Sequence, residues 1–521
     1  MHDPALQSSV RSELPDDVVQ SPLYNHDLAP VPQPQRNWTT YNFAALWISM
    51  AHCIPTYAMA GAMLVDGMNW WQALITIGLG TFIVLIPILL NAHPGTKYGI
   101  PFPVYARASF GTTGANVPAV LRALVACGWF GIQTFIGGEA MKTFLTAVWP
   151  EYDNIGGGAD FLGLTLPSAI TFAIFWGLQM WIIFKGMNAV RVFENWAAPI
   201  VLIMALALLI WAVAKAEGFG PLLDKPSSFD SFGDFWVVFA PHLTAVVSFW
   251  ATLSLNIPDF TRYGRGQKEQ MRGQTLGLPP TMIIFSAMGL IITSASKALL
   301  PHAELGSLWY PDTILHAMTT GAVSPISGQP LIASEGVRVM VAIVALLGIG
   351  IATISVNIAA NVVSPANDFA NLAPKKISFK TGALITGLIG ILIMPWKLWT
   401  DSSAYVSTWL GGYGMLLGPI AAILIADYFV LRKRELDVPD LYRRRGRYGG
   451  TNPIALVALL VGVAPNVPGL LHSAEILADV PPFFAAIYPY TWFTGFAIAF
   501  GVYLLGMRLA PWKPLTASRL A

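Results

Sequence analysis

The sequence predicts an all-α integral membrane protein, and two observations support this fold class. Of its 521 residues 55% are hydrophobic and only 11% are charged, whereas a soluble globular domain carries about 25% charge. Apolar runs of roughly 20 residues, the length that crosses a bilayer as a helix, recur between short Gly, Pro or charged stretches. The pattern excludes a soluble protein, and it also excludes a β-barrel, which shows short alternating strands.

About twelve of these runs are long enough to span a membrane. We predict spans at residues 42–65, 70–92, 118–149, 163–184, 192–214, 236–258, 276–300, 334–362, 378–395, 404–430, 452–472 and 485–508. The polar, Pro-rich residues before the first span lack the basic and then apolar pattern of a signal peptide. They are interpreted as a flexible cytoplasmic tail.

The basic residues alternate between loops in the way that sets membrane orientation. With the N-terminus inside, the inner loops hold most of the Lys and Arg, including the run Arg443, Arg444, Arg445 and Arg447. A basic run can also indicate nucleic-acid binding, but next to a membrane helix it is more often a topology signal. We therefore predict a multi-pass protein of the cell membrane with both termini in the cytoplasm, and no nucleic-acid partner.

Common catalytic and nucleotide-binding signatures are missing from the sequence. There is no GxxxxGK[ST] phosphate loop and no HExxH, CxxC or GxSxG motif. The informative residues are the polar groups inside the apolar spans, because an unpaired polar group in hydrocarbon costs several kcal/mol. Such groups are expected to face the bundle interior or a cavity.

The first span contains SMAHCIPTYAMAG. Pro55 within it lacks a backbone N–H donor, and its ring clashes with the preceding turn of a helix. A break here would free carbonyls near Ser49 and His52, which either coordinate a cation or simply belong to a packed proline kink. His52 itself either bonds to a backbone carbonyl or titrates as a proton carrier. Cys53 is apolar in character here.

The third span carries CGWFGIQTFIGGEA, in which Trp129 and Gln133 lie four residues apart on one helical face. An indole beside a primary amide suits a flat, hydrogen-bonding ring. Taken singly, these two residues are as well explained by helix packing.

Polar residues also mark the eighth and sixth spans. In the eighth, Thr353, Asn357 and Asn361 form a stripe along one helical face, which is denser than helix packing normally needs. In the sixth, SFWATLSLNIPDF offers Trp250 as a second large aromatic residue. As an isolated residue, Trp250 could equally be part of the core.

Together these residues resemble the nucleobase:cation symporter-1 family, and within it the bacterial hydantoin and allantoin permeases. The similarity runs from about residue 25 to about residue 450. It rests on the strings NHDLAP, WISMAHCIPTY, KYGIPFPVYARASFG, GANVPAVLRALVACGWFGIQ, NIPDFTRYG, NIAANVVSPAND, FKTG, LGPI and ADYF, which occur in the family's order.

The resemblance implies a LeuT-type fold with a 5+5 inverted repeat, broken first and sixth helices, and two extra C-terminal helices. The chain would then divide into a cytoplasmic tail (1–41), repeat one (42–235), repeat two (236–430), a basic loop with helices eleven and twelve (431–508), and a cytoplasmic C-terminal tail (509–521).

The resemblance also implies the site. Trp129 and Trp250 match stacking tryptophans, and Gln133 and Asn361 match amides that bond to the substrate. Cys53 and Asn357 complete the predicted substrate-binding set. A sodium-like site would use Ser49, His52, Ala352 and Ser355, but Val356 replaces an expected hydroxyl residue, and Ser248 and Phe249 replace a glycine pair.

We therefore predict a symporter, not an enzyme, that imports a small planar nitrogen heterocycle, with allantoin or a hydantoin as the first choice. Uracil, cytosine or thiamine is the alternative within the family, and a channel is the alternative from another class. No cofactor is expected apart from Na⁺ or H⁺ as coupling ion. The predicted partners are the heterocycle and the lipid bilayer, with the monomer as the functional unit.

Overall fold

The computed structural model describes residues 14–185, 187–308, 311–399 and 404–514. The predicted tails therefore lie partly outside the described residues, at 1–13 and 515–521. The chain is almost entirely helical. The helices of the first half are α1 (Asp16–Gln20), α2 (Thr40–Ala51), α3 (Ile54–Val65), α4 (Trp70–Tyr98), α5 (Phe102–Phe110), α6 (Asn116–Val148), α7 (Leu166–Phe184), α8 (Met187–Lys215), α9 (Phe232–Phe249), α10 (Ala251–Asn256), α11 (Pro258–Thr261) and α12 (Gln267–Leu299).

The second half continues in the same way. Its helices are α13 (Leu305–Leu308), α14 (Pro311–Thr320), α15 (Glu335–Asn361), α16 (Val363–Leu372), α17 (Phe379–Leu392), α18 (Gly412–Ile425), α19 (Pro453–Val463), α20 (Val467–Ser473), α21 (Pro482–Ile487) and α22 (Thr491–Leu509). π-Helical turns flank α18 at Ala404–Gly411 and Ala426–Leu431. Short 3-10 turns lie at His26–Leu28, Gln33–Gln35, Pro150–Asn154, Pro395–Lys397, Pro439–Tyr442, Ala464–Asn466 and Tyr488–Tyr490.

The described chain contains one small β-hairpin, and two isolated β-bridges pair Trp38 with Gly264 and Val323 with Pro330. Strands β1 (Asp160–Phe161) and β2 (Leu164–Thr165) pair antiparallel across a turn in which Gly163 has a φ of +90°. Asp160 Oδ1 accepts a hydrogen bond of 2.7 Å from the Gly163 N–H and so stabilises the turn. The all-α prediction misses this hairpin, because two residues a strand are too few to give an alternating pattern.

Among the described residues, nine helices are long and apolar enough to cross a membrane. The pair α2 and α3 qualifies as one further span that is bent by 57°, and Leu202–Lys215 and Phe379–Leu392 are shorter apolar helices. Each predicted span overlaps one of these segments. The prediction of a helical protein with many apolar spans is therefore confirmed.

The predicted break in the first span lies at His52 and Cys53. Helix α2 ends at Ala51, Cys53 is extended with φ −137° and ψ 161°, and α3 begins at Ile54. Pro55 falls within the first two residues of α3, where its missing N–H has no intrahelical partner to lose. The proline therefore begins the second half of the span.

The sixth span is interrupted at Trp250. Helix α9 ends at Phe249, Trp250 has φ −98° and ψ 4°, and α10 begins at Ala251. Pro258 then begins α11 after Ile257. The interruption that the family resemblance implies is present, and it leaves one of the predicted aromatic residues at the junction.

Glycines let helix α6 approach its neighbours closely. A Cβ on Gly131 would collide with the carbonyl oxygen of Gly390 on α17, and a Cβ on Gly128 would collide with the Trp409 ring. At Gly131 the obstacle is backbone, which cannot turn aside. The close packing of α6 against α17 therefore requires glycine at position 131.

We expect Gly131→Ala to destabilise the protein by about 1–3 kcal/mol, the usual cost of overpacking. The matched control is Gly177→Ala on α7, because a Cβ added there would meet no described atom within 4 Å. At that position the exchange should be neutral or favourable, since alanine is the better helix former. Thermal unfolding of the two purified variants checks this, and equal unfolding temperatures would contradict the assigned packing.

The prediction of a flexible N-terminal tail is wrong for residues 14–37. Leu28 is fully buried, and its carbonyl accepts a hydrogen bond of 2.7 Å from the Tyr442 hydroxyl. Arg262 donates to the Asp27 carbonyl at 2.8 Å. Apolar residues spaced through a polar, Pro-rich sequence therefore attach this segment to one end of the helix bundle, which we call the tail face.

Two further contacts attach the segment to loops of the tail face. Asn25 Nδ2 donates to the Pro374 carbonyl at 2.7 Å. Arg443 forms an ion pair of 2.8 Å with Asp17, and this hydrogen bond holds the pKa of the Asp17 carboxyl below its usual value. The ion pair is therefore present near neutral pH and is lost as the pH falls through that lowered pKa.

A fully buried ion pair lies between α6 and α16. Arg122 Nη1 is 3.5 Å from Asp368 Oδ2, and both side chains have no exposed surface. Arg122 Nη2 also donates to the Ala360 carbonyl at 3.3 Å. Asp259 is buried in the adjoining α11, where its Oδ1 accepts from the Phe102 N–H at 2.9 Å.

Candidate functional site

The broken first helix presents three of the predicted residues. His52 is buried and its ring contacts Phe285 edge-on at a centroid distance of 5.0 Å. Cys53 is buried with its Sγ 3.3 Å from the Thr56 hydroxyl. Ser49 is half-buried on the last turn of α2. The break therefore lies inside the helix bundle and not at its surface.

An aromatic cluster surrounds Trp129 on α6. The Trp129 ring contacts Phe249 at 5.2 Å, Trp409 at 5.9 Å, Tyr405 at 6.3 Å and Tyr413 at 6.4 Å, all edge-to-face. Trp129 is 5% exposed. Helices α6 and α9 and the π-helical turn before α18 thus meet at this indole.

Trp250 lies next to this cluster but is separated from Trp129. Its ring contacts Trp47 at 5.1 Å and Phe249 at 4.9 Å. No direct ring contact joins the two predicted stacking tryptophans among the described aromatic residues; Phe249 contacts both. We call Trp129, Phe249 and Trp250 the aromatic row.

Several buried polar atoms around the aromatic row lack a hydrogen-bond partner in the described part of the chain. They are Gln133 Oε1, Ser248 Oγ, Trp250 Nε1 and Trp409 Nε1. Native proteins leave few buried polar atoms unpaired, and each such atom needs an explanation. Two indole donors and an amide oxygen beside aromatic faces are the groups that a flat ligand with carbonyl and N–H edges would use.

The two asparagines of the eighth span belong to one hydrogen-bond network. Asn361 Nδ2 donates to Asn357 Oδ1 at 2.9 Å. Asn357 Nδ2 in turn donates to Gln179 Oε1 at 2.7 Å and to the Phe130 carbonyl at 3.0 Å. Asn357 is therefore engaged on both sides by protein groups, and it orients Asn361.

Sequence reasoning missed two members of this network. Gln179 on α7 donates to the Thr134 hydroxyl at 2.9 Å, and Thr134 donates to the Phe130 carbonyl at 2.6 Å. Gln179 is the single amide in the fourth predicted span, and this lone amide is the signal that the sequence offers. Together these groups fix the relative positions of α6, α7 and α15.

The residues of the predicted cation site lie on two helices that pack together. Helix α15 contacts α2, whose end carries Ser49 and His52. On α15, Ala352, Ser355 and Val356 are all buried. The structure therefore brings the two predicted halves of the site to neighbouring elements.

Comparisons with known proteins find relatives that cover most of the chain. Residues 30–495 match the family described as permease for cytosine/purines, uracil, thiamine and allantoin. The allantoin permease of Bacillus subtilis is 39% identical, with 94% of each chain covered. The purine-uracil permease NCS1 of Arabidopsis thaliana is also 39% identical, covering 93% of this chain and 78% of that protein.

A similar solved structure is that of Mhp1, a nucleobase-cation-symport-1 family transporter, in a closed conformation with bromovinylhydantoin bound. It superposes with a TM-score of 0.69 at 25% identity, covering 94% of this chain and 96% of Mhp1.

Proposed function

Because this chain belongs to the family of permeases for cytosine and purines, uracil, thiamine and allantoin, we propose that it imports a small planar nitrogen heterocycle, in the first place allantoin or a hydantoin. The predicted resemblance to the nucleobase:cation symporter-1 family is confirmed, as is the prediction of a transporter and not an enzyme. Uracil, cytosine or thiamine is the alternative substrate.

The unpaired polar atoms beside the aromatic row are the observation that carries the proposal. Gln133 Oε1 and Trp250 Nε1 are buried and without a partner among the described residues, next to aromatic faces. An indole face stacks on any flat ring, whereas the amide and the indole N–H require ring carbonyl and N–H groups in return. A planar amide-containing heterocycle satisfies both requirements.

We assign the direct substrate contacts to Trp129, Gln133, Trp250 and Asn361. Cys53, at the helix break, adds an apolar contact. Asn357 acts by holding Asn361, with which it shares a hydrogen bond of 2.9 Å.

The transport mechanism we propose is alternating access. The substrate binds the outward-open and inward-open states with different affinity and so changes their populations. The two interrupted helices support this, since interrupted helices form the central site of such transporters. A channel would need a continuous polar pore, and the buried aromatic side chains of the aromatic row do not supply one.

The coupling cation is assigned to Ser49, His52, Ala352 and Ser355. Carbonyls at the end of α2 and the Ser355 hydroxyl supply oxygen ligands of the kind that Na⁺ prefers. Val356 supplies no side-chain oxygen, so we expect weak sodium dependence or coupling to H⁺.

The proposed topology has twelve spanning helices in a LeuT-type 5+5 arrangement with two further helices. It counts the nine long helices, the bent pair and the two shorter apolar helices of the described chain. Both termini lie in the cytoplasm of a cell-membrane protein that functions as a monomer.

The test is uptake of labelled allantoin, hydantoin and uracil into cells that express the protein, with and without sodium. We expect saturable uptake of at least one compound above an empty-vector control. Wild-type uptake no better than the vector for all three would reject these substrates. Uptake that proceeds unchanged without sodium but stops when the proton gradient is collapsed would assign the coupling ion as H⁺.

A further inference from the structure

Phe249 lies between the two tryptophans assigned to stacking. Its ring centroid is 5.2 Å from that of Trp129, at an interplanar angle of 84°, and 4.9 Å from that of Trp250, at 90°. Phe249 is only 7% exposed. A phenyl ring that meets both indoles edge-to-face is in a favoured arrangement on each side. Phe249 thus bounds the space beside each indole face.

The backbone that carries Phe249 has little freedom to move away. The Trp250 N–H donates to the Ser248 carbonyl, and the Ser254 N–H donates to the Trp250 carbonyl at 2.9 Å, so hydrogen bonds continue across the junction. Ser248 packs against Gly414, where an added Cβ would collide with the Ser248 hydroxyl. Helix α9 is therefore closely packed against α18 at the residue before Phe249.

A ligand stacked on the Trp129 ring is consequently bounded on one side by the Phe249 ring. A flat ring without large substituents fits on the indole face and reaches Gln133, one turn away on the same face of α6. A bulky substituent pointing along the aromatic row would collide with the phenyl ring, since close-packed side chains yield little volume.

We infer that Phe249 is the size-selecting residue of this site, admitting small unsubstituted rings and excluding heterocycles with a bulky substituent. The inference rests on the proposed function, since it concerns the same site. Phe249 is inferred to select between ligands that present the same ring carbonyl and N–H groups. It is not inferred to bind those groups.

The experiment measures the affinity of purified full-length protein for hydantoin and for bromovinylhydantoin, by titration calorimetry. Wild-type protein should prefer hydantoin by about tenfold or more, the range over which pocket size discriminates between ligands. Phe249→Ala should reduce that preference about tenfold or more, mainly by tightening the binding of bromovinylhydantoin. Phe249→Leu, which keeps most of the apolar volume, should give an intermediate ratio.

The matched control is Phe239→Ala. Phe239 lies on the same helix and is also 7% exposed, but its ring contacts are Phe235 and Trp236. Its loss should leave the hydantoin-to-bromovinylhydantoin ratio at the wild-type value.

Three outcomes would overturn the inference. One is a wild type that binds both compounds equally, another is a Phe249→Ala protein that binds with an unchanged ratio, and the third is an equal change in Phe239→Ala. If Phe249→Ala does not fold, an unchanged ratio in Phe249→Leu has the same meaning. A wild type that binds neither compound nor allantoin or uracil would instead reject the proposed function, and the inference with it.

Discussion

Trp129→Ala and Gln133→Ala are each expected to reduce uptake at low substrate concentration by about 30-fold or more, equivalent to roughly 2 kcal/mol. Trp129 supplies the aromatic face at the centre of the cluster, with four ring neighbours that would lose their shared contact. Gln133 supplies a buried amide whose Oε1 lacks a partner in the described chain. Uptake of labelled substrate, normalised to protein in the membrane, measures both losses.

Trp71→Ala is the matched control for Trp129→Ala. Trp71 is 48% exposed near the start of α4, away from the aromatic row, and its loss should leave uptake within about twofold of wild type. Equal transport by wild type and both site variants would refute the assigned site. If a variant is lost from the membrane, its low uptake reflects a folding defect. Substrate binding by the purified variant then shows whether the site itself is also impaired.

Arg122→Ala or Asp368→Asn is expected to destabilise the protein by about 3–5 kcal/mol, because each change leaves the other charge buried and uncompensated. Both side chains have no exposed surface, so water cannot solvate the remaining charge. The measurement is unfolding of the purified protein in mild detergent. The double variant Arg122→Met with Asp368→Leu should be more stable than either single variant, since no isolated charge remains.

The ion pair between Lys97 and Glu435 is the surface counterpart of this buried pair. It has an N–O distance of 2.8 Å, but its side chains are 34% and 76% exposed. Glu435→Gln should therefore change the stability by no more than about 1 kcal/mol. A similar loss in Glu435→Gln and Arg122→Ala would contradict the importance assigned to burial.

Much of the fold could be predicted because the bilayer imposes simple rules. Each predicted span overlaps an apolar helix, and Pro55 indicated the break between α2 and α3. The prediction of a flexible N-terminal tail was wrong for a physical reason. By composition residues 14–37 are polar, but the Leu28 carbonyl is bound by the hydroxyl of Tyr442, which lies 414 residues further along the chain. No local pattern reveals a contact of that range.

The site divides in the same way. Spacing alone places Trp129 and Gln133 on one helical face, but their predicted role comes from the family resemblance. Phe249 could not be identified as the residue between the two indoles, since its position depends on how α6 and α9 pack. Gln179 was overlooked because one amide in an apolar span is ordinary, and only its bonds to Asn357 and Thr134 give it a role.

The attachment of residues 14–37 has a consequence for biosynthesis. This segment is synthesised before its partners Tyr442 and Arg443, which belong to the loop before α19. The contacts of the segment with these partners therefore cannot form until most of the apolar spans have been synthesised and inserted. Its docking therefore follows the synthesis of most of the helices, and a nascent chain truncated before Tyr442 would leave this segment exposed to proteases.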